Sequence, residues 1–177
     1  VKLWQDLEEL LAPRPVLMRG IGFAIVEDIH HNYDRLVGFY RPDTVVLLPG
    51  NSEFHMRDNK TAVELAEAIA ALVDLDEYDG QTRRFYVFTP IKTPLNPGDY
   101  LKIDEATALL EAFAKADPRV VLLDANALLA GPDDKPRPNF FRGDGVNLNE
   151  HGYLRLSVLL HTEVQADTQE PGAGPGA

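Results

Sequence analysis

Apolar residues recur along this chain in two rhythms, and their order gives the first view of its architecture. Residues 2–11 carry Leu3, Trp4, Leu7, Leu10 and Leu11 at helical spacing, and Pro13 and Pro15 close that helix. Val16, Leu17 and Met18 form a short strand-type run before a Gly20-Ile21-Gly22 turn. A helix is predicted from about Ile25 to Tyr40, with Ile29, Tyr33, Leu36 and Val37 inward. Residues 44–48 are continuously apolar, the pattern of a parallel strand covered on both faces. An Ala-rich amphipathic helix over 61–75, a strand over 84–89, a helix over 99–116 and a strand over 120–123 follow. A long polar loop then leads to a last helix over 150–163.

Strands alternating with helices imply an α/β three-layer sandwich, a parallel sheet flanked by helices. One such domain accounts for residues 1–164. The Pro/Gly-rich tail, 165–177, lacks apolar content and is predicted to be disordered. Ligands of such sheets sit at the carboxyl ends of the strands. That expectation gathers residues 20–24, 50–55, 90–97 and 143–149 on one rim.

Composition narrows the function. A chain of 177 residues, 45% hydrophobic and 25% charged, is long enough for a real core. A net charge of −11 argues against a phosphate-binding face, so no nucleic-acid partner is expected. The absence of cysteine removes disulfides, thiolate metal sites and a Cys nucleophile, and leaves the compartment open. No apolar run reaches the ~20 residues of a transmembrane segment. No secretory signal is seen, and the domain is expected to be soluble. No cofactor is expected. Glu53 and His55, with Asp58 nearby, are too few for a metal site.

The most informative segment is Asp144-Gly145-Val146-Asn147-Leu148-Asn149-Glu150-His151-Gly152-Tyr153, at the junction of the long loop and the last helix. It resembles the final block of the SGNH (GDSL-type) hydrolases, Asp-Gly-x-His-x-Asn-x-x-Gly-Tyr. Arg19-Gly20-Ile21-Gly22-Phe23-Ala24 resembles that family's second block, and the run from Asp43 to Glu53, ending Gly50-Asn51-Ser52-Glu53, resembles its third. Ile91-Lys92-Thr93-Pro94 and the segment from Phe140 to Gly145 are similar to the same family. The resemblance covers about residues 1–163 and implies a flavodoxin-like α/β fold and an ancestry of ester hydrolysis through an acyl-serine.

In that family a Ser of the first block is the nucleophile. A second-block Gly N–H and a third-block Asn side chain form the oxyanion hole with the Ser N–H. The final Asp and His supply the relay. Here the first block is absent, the Gly position is Phe23, the Asn position is Ser52 and the His position is Asn147. Asp144 alone is kept. An amide cannot take a proton from a serine near neutral pH. The resemblance also places the absent first strand centrally, between 16–18 and 44–48, so a gap in the sheet and a longer parent protein are expected.

The resemblance therefore implies a catalytically degenerate domain with a rim pocket at Phe23, Asn51, Ser52, Glu53 and Asn147. Such a pocket would serve a small acyl or glycan ligand or a protein partner. The alternative is an active ester hydrolase. It would use Ser52 as a displaced nucleophile with His55 as base and Asp144 nearby, or a Ser upstream of this chain. The chain has only two serines, Ser52 and Ser157. Ser157 falls inside the last helix and reads as structural; Ser52 reads first as a turn hydroxyl. Asp144 also has a local role open to it, accepting backbone N–H groups before the helix. Asn149 is the expected N-cap of that helix, and His151 is expected to face solvent.

Overall fold

The computed structural model describes residues 4, 7–55, 57–77 and 82–169. Three parallel strands form its sheet, β1 (Thr44–Leu47), β2 (Arg84–Phe88) and β3 (Val120–Leu123), in the order β1-β2-β3. The helices are α1 (Leu7–Leu10), α2 (Val26–His31), α3 (Tyr33–Leu36), α4 (Ala62–Glu77), α5 (Tyr100–Ala116), α6 (Ala125–Leu129) and α7 (Glu150–Gln169).

Alternation along β2 builds two cores. Phe85 and Val87 turn to one face, where Leu65, Ile69 and Leu72 of α4 and Leu110 of α5 pack on them. Tyr86 and Phe88 turn to the other, against Trp4, Leu7, Leu156 and Leu160. Val45 joins the first core and Val46 the second, as a strand covered on both faces requires. The indole of Trp4 donates to Ser157 Oγ at 2.7 Å and meets the Phe88 ring edge-on at 5.8 Å. Ser157 is thus a buried tie between α7 and the N-terminal segment.

Four expectations change. Residues 16–18 form no strand: Val16 and Met18 are half-buried against the second core and Leu17 is 51% exposed, an extended alternation without a ladder. A ladder needs a neighbour, and none of the described residues pairs with the outer edge of β1. The helix expected over 25–40 breaks at Asn32, whose backbone leaves the helical region (φ −111°, ψ 20°) while its amide donates to Asp28 O at 2.9 Å. Residues 38–40 then tighten into a 3-10 turn. Inside the polar loop, α6 forms because Asp124 caps it, accepting from the N–H groups of Asn126 (2.9 Å) and Ala127 (3.2 Å).

The last correction concerns the tail. Residues 165–169 belong to α7, because Asp167 accepts from Arg84 Nε at 2.9 Å and from the Tyr86 hydroxyl, pinning the end of the helix to β2. Residues 170–177 lie outside the described residues, as do 2, 3, 5 and 6 of the first predicted helix.

Candidate functional site

The final loop is built around Asp144. Its Oδ1 accepts from the N–H groups of Val146 (2.9 Å) and Asn147 (2.8 Å), and its Oδ2 accepts from Asn147 Nδ2 at 2.8 Å. The Asn147 amide first, then the two N–H groups, hold the Asp144 carboxyl below its ordinary range. Gly145 sits at φ +67°, where an L side chain is strained, and its carbonyl accepts from Leu95 N–H at 3.1 Å. A bridge between Phe141 and Leu148 closes the loop. Asn149 then caps α7, accepting from Gly152 N–H at 3.1 Å. The side chain of His151 is 67% exposed and its nearest acid is Glu150.

After β1 the chain turns through a 3-10 segment, Asn51–Glu53. Glu53 is 2% exposed. Its Oε1 accepts from Val26 N–H (2.9 Å) and its Oε2 from Lys60 Nζ (2.8 Å). Burial pushes the Glu53 pKa up, and the Lys60 ammonium only partly offsets it. Lys60, also buried, meets Glu27 at 2.8 Å and Asp58 at 3.0 Å. Burial alone would lower its pKa; its three carboxylates outweigh that and raise it.

These loops line a half-open cavity of about 130 Å³ at the carboxyl ends of β1 and β2. Leu48 and Asn51 line it from the first strand, Ile91 and Thr93 from the second, and Val146 and Asn147 from the final loop. No carboxylate, ammonium, guanidinium or imidazole lines it. Three of the four segments expected on one rim thus contribute. The Gly20–Ala24 segment does not.

Asn51 and Asn147 are the two predicted rim residues in the cavity wall. Phe23 is not: the residue is 62% exposed, on a backbone at φ +60°. Ser52 and Glu53 are carried past the wall by the 3-10 turn, and Glu53 serves the Lys60 cluster instead. The Ser52 hydroxyl makes no hydrogen bond among the described residues, while its carbonyl accepts from Asp58 N–H at 3.2 Å. His55 does not meet Asp144. Its Nε2 lies 2.5 Å from Oδ2 of Asp99, which is nearly buried at the foot of α5.

Sequence reasoning passed over Asp99, Lys60 and Thr93. Thr93 is 3% exposed and its Oγ1 has no hydrogen-bond partner among the described residues. Its only sequence signal is its place in the Ile91-Lys92-Thr93-Pro94 run after a strand. Lys92 beside it turns away, toward Asp104 (2.8 Å) and Asp134 (2.6 Å). No group of three or more His, Cys, Asp or Glu among the described residues is arranged to hold a metal. No helix among them is long and apolar enough to cross a membrane.

No protein-family model matches the chain, and no curated protein does. Solved structures do match. A GDSL-like lipase from Bacteroides thetaiotaomicron superposes with a TM-score of 0.77 at 16% identity, over 94% of this chain and 82% of its own. An acetylxylan esterase from Geobacillus stearothermophilus, solved as a catalytic mutant, gives 0.72 at 16% identity over 91% and 78%. The fold is that of the SGNH/GDSL hydrolases. A lipase/acylhydrolase from Enterococcus faecalis extends the match, with a TM-score of 0.65 at 18% identity over 82% of this chain and 72% of that one. At such identities the likeness is one of architecture. On the SGNH fold the cavity lies where the strand ends meet the Asp144 loop.

Proposed function

We propose that this SGNH-fold domain binds a small acyl or glycan ligand, or a protein partner, at the strand-end cavity without hydrolysing it. The observation that carries the reading is the Asp144–Asn147 pair. Asp144 keeps the geometry of a carboxylate that orients a base, but the group it orients is an amide with no basicity to use. At the two positions the resemblance assigns to oxyanion donors, Phe23 is exposed and the Ser52 hydroxyl is no amide, which leaves Asn51 as the other amide in the wall. Losing one such donor costs an esterase roughly 2.7–4 kcal/mol of transition-state stabilisation.

A second reading has one observation in its favour. The 2.5 Å approach of His55 to Asp99 is the orienting contact a displaced Ser52–His55 pair would need. Since Nε2 is engaged there, only Nδ1 is left to reach a serine.

Turnover of p-nitrophenyl acetate, run beside Ser52→Ala and with a fluorophosphonate probe, separates the two. The binding reading expects neither labelling nor turnover above that of Ser52→Ala. Turnover abolished by Ser52→Ala would overturn it in favour of the displaced serine.

A further inference from the structure

The cavity states what its ligand must offer. Asp144 is an ionised carboxylate and can only accept, so the amide of Asn147 is fixed with Nδ2 toward it and Oδ1 turned away. Asn147 therefore presents an acceptor, exposed at the cavity wall, to an occupant that carries an N–H or O–H. On the Pro90–Thr93 side, Thr93 Oγ1 is buried and unpartnered, and needs a hydrogen-bond partner. Two other buried side-chain oxygens share that condition, but Thr107 lies in α5 and Asp99 faces His55. Neither lines the cavity. The Thr93 carbonyl accepts from the Tyr100 hydroxyl (3.0 Å) and from Asn96 N–H (3.2 Å), which fixes its backbone in place.

Size and charge narrow the occupant further. About 130 Å³ is the space of roughly four waters, somewhat below the ~150 Å³ that holds a benzene. The wall carries no ionic side chain, and a net charge of −11 repels an anion. Leu48, Ile91 and Leu148 supply apolar wall.

We infer that the cavity takes a neutral secondary amide of N-acetyl size, with its N–H on Asn147 Oδ1, its carbonyl on the Thr93 hydroxyl and its methyl on the apolar wall. An ester of the same shape lacks the N–H and offers the Asn147 acceptor nothing to exchange for water. This deepens the binding reading above and rests on it.

The test is a ¹H–¹⁵N NMR titration of the whole chain with N-methylacetamide and with its ester counterpart, methyl acetate. The amide should shift the Thr93, Val146 and Asn147 resonances, with an affinity at least about tenfold above the ester's. N-acetylglucosamine and N-acetylalaninamide, run in parallel, distinguish a sugar from a peptide as the bearer. Thr93→Val, of matching shape, and Asn147→Ala, at an exposed side chain, should each weaken the amide by about tenfold, toward the ester's level. Equal binding of the ester, no shift with N-methylacetamide, or undiminished binding by both variants would overturn the assignment. Acetate released from methyl acetate in the same tube would instead refute the loss of hydrolysis, whatever the amide does.

Discussion

Replacing Lys60 by Met should reveal how much the buried Glu53 charge depends on one ammonium. Glu27 and Asp58 are about half exposed, so solvent screens their pairs with Lys60 and leaves them little weight. Glu53 is different, at 2% exposure. Without Lys60 its Oε2 has no partner and its Oε1 keeps only the Val26 N–H. The cheapest escape is protonation. Holding a carboxyl of ordinary pKa 4.5 neutral at pH 7 costs about 3.4 kcal/mol, and at pH 5 only about 0.7 kcal/mol. The sign follows from linkage: a folded-state pKa raised above 4.5 means stability fully present below that pH and lost as pH rises.

Lys60→Met should therefore lose about 3–4 kcal/mol at pH 7, a fall in Tm of roughly 7–14 °C, and distinctly less at pH 5. Urea unfolding at the two pH values measures this as a shift in midpoint at constant slope. Adding Glu53→Gln to Lys60→Met should recover about 2 kcal/mol or more at pH 7, because a buried amide has no ionisation to suppress. A loss below about 1 kcal/mol, or an equal loss at both pH values, would refute the reasoning.

Three shorter predictions follow from the same geometry. Gly152→Ala should destabilise by about 2 kcal/mol or more, since its Cβ would lie 2.5 Å from the Phe140 carbonyl, a backbone atom with no room to yield; a thermal melt measures it. At Phe23, with φ +60° and an exposed ring, Phe23→Gly should leave stability unchanged or raise it by up to about 1 kcal/mol, whereas the β-branched Phe23→Val should lower it by about 1 kcal/mol; urea midpoints that fall equally for both would show that the ring holds the segment. Asp28, Asp117 and Asp144 all have lowered carboxyl pKa values. Their contribution is present above their ordinary 3.8 and should be lost as pH falls through the folded values, so Tm followed from pH 5 downward should decline most steeply below about 4.

Much of this fold was legible because α4 and α5 are long amphipathic helices and β2 and β3 carry unbroken apolar runs between them and after them. Where the pattern misled, a tertiary partner decided. Val16-Leu17-Met18 has strand composition, but composition supplies no neighbour, and the segment stays without a ladder. Residues 165–169 look like tail until Asp167 finds Arg84 and Tyr86. The Asp144 loop was readable at the level of single residues because its bonds are local, spanning two or three positions. Thr93 and the His55–Asp99 contact were not, since burial and pairing across 44 positions leave no mark on a linear pattern.

The pairing of Asp144 with Asn147 has a physical explanation that does not require catalysis. Two of the three hydrogen bonds the Asp accepts are from backbone N–H groups, and they shape the turn into α7 whatever side chain stands at 147. The third selects an orientation. A neutral histidine at 147 donating one ring N–H to Asp144 would direct its other nitrogen outward as an acceptor that is also a base. An asparagine donating its N–H directs a carbonyl outward, an acceptor that is not a base. Asparagine at 147 thus presents the same hydrogen-bonding sign that a histidine would, without its proton affinity. A group that a base would deprotonate can be held intact by such an acceptor, and that is the property the proposed binding role requires.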